Sequence, residues 1–207
     1  MSLSGQVWKK SKPLIDAIHT HPFNQKLMQG TLSRDAFAYY IEQDTLYLQA
    51  FARCHALVAA RAPLAHVKAF LVYAEESLIA EQEVVHAFFR KLYQFKVTGR
   101  LTPATISYTS YLLQTCALAP VEVAVAALLP CFWVYMDVGN AIAKNAEADN
   151  PYAKWIETYS SDDFSQAVHS IIAIFDELAD KSTQATRDAM ADAFYKSTCL
   201  EWHFWQD

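Results

Sequence analysis

Cys131 follows a proline inside an apolar run, Ala127-Leu-Leu-Pro130-Cys131-Phe-Trp133-Val-Tyr135. A thiol that ionises is the most nucleophilic side chain available near neutral pH, so a cysteine built into an unusual backbone is a candidate for covalent catalysis. Proline in a helix interior removes one backbone donor and crowds the carbonyl four residues earlier, here that of Ala126, which predicts a kink at the thiol. Tyr135 stands four residues after Cys131 and shares its helical face, so its phenol reaches what the sulfur touches. The same pattern also fits an ordinary buried cysteine, and this segment by itself favours that reading slightly.

Asp44 and Tyr47 lie three apart within Tyr39-Tyr40-Ile41-Glu42-Gln43-Asp44-Thr45-Leu46-Tyr47. A carboxylate facing the core there must accept hydrogen bonds, from a protein donor or from the amine or amidine of a substrate. On the outer face it would be an ordinary solvated aspartate. Near the C-terminus, Glu201 shares a face with Phe204 and Trp205 in Cys199-Leu-Glu201-Trp202-His203-Phe204-Trp205. A carboxyl held in apolar surroundings favours its neutral form and suits a proton donor, whereas one that reaches solvent from a fraying helix does not. Glu83-Val-Val-His86 has the Glu-x-x-His spacing of di-iron helical bundles, but such sites need two copies. His169 follows Gln166 and His203 follows Leu200 at that spacing, so no second copy is found and no metal is expected.

The elements that must position these residues read as helices with short joints. Four glycines in 207 residues, and apolar runs longer than strands, predict an all-α protein of one domain. Ser33 reads as the N-cap of a helix to about Arg61; Pro63 opens another through about Tyr93. Thr102-Pro103 starts a helix through about Leu118, and Pro120 restarts the chain into the cysteine helix, ending near Asn145. Asp149-Asn-Pro151 is a breaker before a short helix to about Tyr159. Ser160-Ser-Asp-Asp163 has the form of a capping box, and Thr183 caps the last helix.

A formal charge of −5 supplies no basic patch, which argues against nucleic acid as a partner. No apolar stretch of signal-peptide length opens the chain, and charges interrupt the long apolar runs within a membrane-span window, so a soluble cytoplasmic protein without membrane association is expected. Cys54, Cys116, Cys131 and Cys199 are widely spaced with no Cys-x-x-Cys pair, which suits a reduced compartment.

In combination, these segments resemble the TenA family, the thiaminase II or aminopyrimidine aminohydrolase group. The resemblance runs from Trp8 and Pro22-Phe23 through Phe37-x-x-Tyr40-x-x-Gln43-Asp44-x-x-Tyr47, Glu75 to His86 and Tyr108-Thr-Ser-Tyr111-Leu. It continues through the Pro130-Cys131 core, Tyr152-x-x-Trp155-Ile-x-x-Tyr159 and Glu201-x-x-Phe204-Trp205. The cysteine core and the C-terminal Glu-x-x-Phe-Trp are specific together, and weak apart.

The resemblance implies a haem-oxygenase-like helical bundle, assembled as a homotetramer and working without a cofactor. It also implies Cys131 as the nucleophile that adds to C6 of a 4-aminopyrimidine ring, and Glu201 as the acid/base. Asp44 would hold the ring's amidine-like edge. Tyr47, Tyr135 and Tyr159 would line the pocket, Tyr108 would form an aromatic wall, and Phe204 would flank the glutamate. The substrate implied is 4-amino-5-aminomethyl-2-methylpyrimidine, hydrolysed to its hydroxymethyl counterpart, with thiamin as a secondary substrate. Two other readings remain open at this level: a metal-dependent or cofactorless oxidase of the same fold, and a non-catalytic pyrimidine-binding protein.

Overall fold

The computed structural model describes residues 1–79, 87–94 and 98–206, and these form ten helices with no strand among them. They group into two compact units: Met1–Leu32 with Glu122–Gln206, and Ser33–Val121. Glu81, Glu83 and His86, and with them the Glu-x-x-His spacing, lie outside the described residues.

The first unit contains α1 (Leu3–His19), α2 (Pro22–Met28), α7 (Val121–Asn145), α8 (Ala153–Tyr159), α9 (Asp162–Asp180) and α10 (Gln184–Phe204). Neither α1 nor α2 was anticipated from the sequence. The Ser2 hydroxyl caps α1, and Pro22 takes the first turn of α2, where its missing N–H costs nothing. Asp176 of α9 accepts from the backbone N–H and hydroxyl of Ser4 at 2.9 and 2.6 Å, placing a carboxylate at the positive end of α1. Trp8 of α1 stacks on Trp133 of α7 at 4.2 Å between ring centres, and Phe194 of α10 meets that indole edge-on at 6.2 Å.

The long apolar α7 is therefore a core helix. By length and composition it could cross a membrane, contrary to the expectation that charges interrupt every such window, yet 67% of that window is buried inside the protein. Pro130 sits within α7, which continues as one helix through it.

The breaker before α8 has a specific job. Asn150 Oδ1 accepts from the Tyr152 backbone N–H at 2.9 Å, while its Nδ2 donates to the Leu27 and Met28 carbonyls at 2.8 and 3.0 Å, closing the C-terminus of α2. The Tyr152 hydroxyl donates to the Leu32 carbonyl at 2.6 Å. At the start of α9 the cap is Ser161, whose hydroxyl accepts from the Phe164 N–H, so the helix opens one residue later than a box on Ser160 requires.

The second unit contains α3 (Arg34–Ala59), α4 (Leu64–Ile79), α5 (Ala87–Tyr93) and α6 (Pro103–Leu118), with α3 packed on the other three. Of the single helix expected from Pro63 to Tyr93, the described residues hold α4 and α5, and residues 80–86 between them lie outside the described residues. Ser33 and Thr102 cap α3 and α6 as expected, and the Arg61 guanidinium donates to the Ala117 and Ala119 carbonyls at the C-terminal end of α6.

His55 lies in the core between α3 and α4, fully buried against Phe51, Phe70 and Tyr73. Burial pushes its imidazole down to about 3. The unfolded chain takes up a proton near the ordinary histidine value of about 6.5, and the folded one does not, so stability falls as the pH drops through that window. Between pH 8 and pH 5 this single site should remove about 2 kcal/mol. His55→Leu should lessen the difference in urea-unfolding free energy between those pH values by that amount; an unchanged difference would contradict the assignment.

Candidate active site

Within the first unit, α7 carries Cys131, Tyr135 and Gly139 at four-residue intervals, hence on one face. Gly139 is what lets that face approach α8. A Cβ built on it would lie 2.7 Å from both Cβ and the carbonyl oxygen of Tyr159, closer than any side chain tolerates. The Tyr159 ring consequently lies 4.9 Å from Tyr135. Trp205 approaches Tyr135 at 5.1 Å from the end of α10, with Phe23 at 5.4 Å and Trp155 at 6.4 Å around it. The result is an aromatic corner built on Tyr135.

Cys131 is half-buried. Glu201 is fully buried one turn before the end of α10, and its backbone carbonyl accepts from the Trp205 N–H. Phe204 is buried beside it in sequence. A carboxyl placed there among Phe204 and Trp205 is a core group rather than a solvated one, which removes the frayed-helix alternative.

Of the remaining thiols, Cys54 and Cys116 are more buried than Cys131, and Cys199 is half-buried like it. Cys54 and Cys116 are both fully buried, and hydrogen bonding to Cys54 together with burial raises the Cys116 thiol far above its ordinary value, so it is unreactive. Burial also raises Cys199, partly offset by a hydrogen bond from Tyr195.

The second unit holds Asp44, Tyr47 and Tyr108, all buried. The Tyr47 and Tyr108 rings lie 4.9 Å apart, and Tyr47 stacks on Phe51 at 5.4 Å. The two residues before Asp44 fix its setting. Glu42 Oε1 accepts from the Thr98 N–H and hydroxyl and from the Gly99 N–H. Gln43 Oε1 accepts from the Thr102 N–H at 3.0 Å and the Thr105 hydroxyl at 2.9 Å, while its Nε2 donates to the Arg100 carbonyl at 2.9 Å. Gln43 thereby joins α3 to the first turn of α6, one turn before Tyr108.

Sequence reasoning put Trp205 on the face of Glu201 and Gln43 within the Asp44 motif without giving either a role, and it did not single out Gly139, whose four-residue spacing from Tyr135 was its only signal. Among the described residues, no three His, Cys, Asp or Glu side chains are grouped to hold a metal ion.

The TENA/THI-4/PQQC family description matches residues 8–207, a single match that spans both units, and the chain belongs to that family. It is 34% identical over 189 residues to the aminopyrimidine aminohydrolase of Bacillus subtilis, covering 89% of this chain and 80% of that protein. It is 29% identical over 211 residues to the aminopyrimidine aminohydrolase of Halalkalibacterium halodurans, covering 99% and 94%. A TenA homologue from Pyrococcus furiosus has the same fold at a TM-score of 0.93 and 20% identity, over 99% of this chain and 98% of that one. A protein from Shewanella denitrificans with a haem-oxygenase-like fold matches at 0.73 and 17% identity, over 99% and 89%. The all-α, haem-oxygenase-like architecture expected from the sequence is the one observed.

The close approach at Gly139 gives a direct test. Gly→Ala inside a helix ordinarily gains about 1 kcal/mol of propensity. At Gly139 the new methyl meets backbone atoms that cannot rotate away, so Gly139→Ala should instead lose about 1–2 kcal/mol. Gly5 is the control, since its Cβ meets only side-chain atoms, those of Met1 and the Ser2 hydroxyl, and no backbone. Thermal unfolding of both variants separates the cases, and a Gly139→Ala protein as stable as Gly5→Ala would show that α8 yields.

Proposed function

We propose that this chain is a cysteine-dependent aminopyrimidine aminohydrolase of thiamin salvage, a cytoplasmic homotetramer that needs no cofactor. It converts 4-amino-5-aminomethyl-2-methylpyrimidine to the hydroxymethyl compound and cleaves thiamin as a lesser activity. The observation that carries this reading is the pairing of a half-buried Cys131 with Tyr135 on one face of α7, in a chain 34% identical to a named aminohydrolase.

The chemistry explains why such residues are wanted. An aromatic ring does not expel a group from its exocyclic methylene until a nucleophile breaks the aromaticity. Addition of the Cys131 sulfur to C6 leaves an electron pair able to push from C5, which forms the exocyclic double bond as the amine departs with a proton from Glu201. Water then adds to the methylene as the Glu201 carboxylate takes its proton, and loss of the thiolate from C6 restores the ring. One carboxyl serves both halves. Asp44 holds the amidine-like edge through hydrogen bonds, and Tyr47, Tyr108, Tyr135, Tyr159 and Phe204 supply the walls.

Purified protein incubated with the aminomethyl pyrimidine and with thiamin in parallel, followed by mass spectrometry, should turn over the aminomethyl compound faster. Cys131→Ser nearly conserves volume, so it should keep the fold and pyrimidine binding while losing at least about 10²-fold in kcat. Near-native turnover in Cys131→Ser would sink the covalent route. Glu201→Gln keeps shape but cannot transfer a proton, so it should bind normally and lose about 10²- to 10⁴-fold. An unchanged rate and pH profile would make that carboxyl structural.

A further inference from the structure

The large apolar side chains left exposed among the described residues, Met1 aside, all belong to the second unit, and three of them are evenly spaced. Leu64, Leu71 and Leu78 of α4 are 89%, 53% and 44% exposed. They recur every seven residues, with the half-buried Val67 and Ala74 between them at the intervening heptad positions. The opposite face of α4, His66, Phe70, Tyr73 and Ser77, is the one buried in the protein. At 100° per residue the leucines form a ridge pointing away from it. A heptad ridge of this kind is the pattern by which one helix packs against another.

The charges beside the ridge say what that other helix is. Lys68 and Glu75 are both exposed, and both stand four residues after a ridge leucine, at the same heptad position. Take a second α4 antiparallel to the first, related by a two-fold axis passing at Leu71. Each Leu64 then comes level with the other copy's Leu78, and each Lys68 comes within one residue, about 1.5 Å along the helix, of the other's Glu75 on the same side of the seam. Leu71 meets its own counterpart at the axis. A parallel pair would instead leave the two Lys68, and the two Glu75, on opposite sides of the seam, with no Lys68–Glu75 contact across it. The groove beside Leu78 is lined by Gln49, Ala52, Arg53 and Ala56 of α3 and by Ala74 and Glu75, and its alanines leave room for incoming side chains.

We propose that α4 is an isologous seam between two copies of this chain, antiparallel about Leu71 and held in register by reciprocal Lys68–Glu75 pairs. The inference rests on the homo-oligomer reading above and adds the face that makes it. The leucines supply the drive for association, while the exposed ion pairs mainly select orientation, since such pairs contribute little by themselves.

Light scattering of the full chain at about 10 μM tests it, because oligomer mass follows protomer concentration. Leu71→Glu places two carboxylates together at the axis and should reduce the scattering mass to half or less, with the helical circular dichroism unchanged. Lys68→Glu should weaken association about tenfold, and the double variant Lys68→Glu/Glu75→Lys should return it to within about threefold of the wild type. That recovery is specific to a reciprocal contact and does not depend on how well Leu71→Glu folds. An oligomeric wild type whose mass both single variants leave unchanged overturns the seam alone. A monomeric wild type overturns the seam together with the homo-oligomer reading.

Discussion

The backbone of Tyr159 lies where a side chain on residue 139 would otherwise sit, and the aromatic corner around Tyr135 depends on that approach. With glycine at this position, α7 and the end of α8 come within backbone contact, and the Tyr135 ring gains Tyr159 on one side and Trp205 on the other. Any other residue would push α8 outward and open the corner. The stacked Trp8 and Trp133 hold α7 from another direction, so the helix is held against both α1 and α8.

A comparable constraint operates in the second unit. Glu42, Gln43 and Asp44 are three consecutive buried polar residues on one helix, an arrangement that costs several kcal/mol unless each finds partners. Glu42 and Gln43 are satisfied by backbone and hydroxyl groups between residues 98 and 105, which ties that segment and the start of α6 to α3. Tyr108 meets Tyr47 as a consequence of this attachment. Truncating Gln43 would leave the Thr102 N–H and the Arg100 carbonyl without their partner, so its part in the site is to position and not to react.

Much of this was legible in the chain because it is local. Ser33, Thr102 and Thr183 announce helix starts through hydroxyls that accept from N–H groups three residues on, and the structure has all three. The shared face of Cys131 and Tyr135 follows from helical periodicity, whereas the sequence left Asp44 and Glu201 open between core and solvent, and their burial comes from the structure. What escaped was non-local. Gly139 looks like a helix-weakening residue until the backbone of residue 159 is set beside it. Gln43 looks like a polar surface residue until the 98–105 segment arrives. Pro130 stands inside one continuous α7, as expected, in core packing that offsets the hydrogen bond it removes. The first two helices were missed because their signals, a hydroxyl at Ser2 and a proline at residue 22, are short and lie in polar sequence.

The account stands or falls on whether the reaction is a hydrolysis at the methylene. Turnover of 4-amino-5-aminomethyl-2-methylpyrimidine in ¹⁸O-labelled water, with ammonia release and oxygen uptake followed together, measures this most directly. Hydrolysis predicts one ammonia per hydroxymethyl pyrimidine formed, the heavy oxygen in the product hydroxyl, and no oxygen uptake. Product lacking the label, or formed with uptake of oxygen, would contradict it and point to the oxidative chemistry that the same fold also supports.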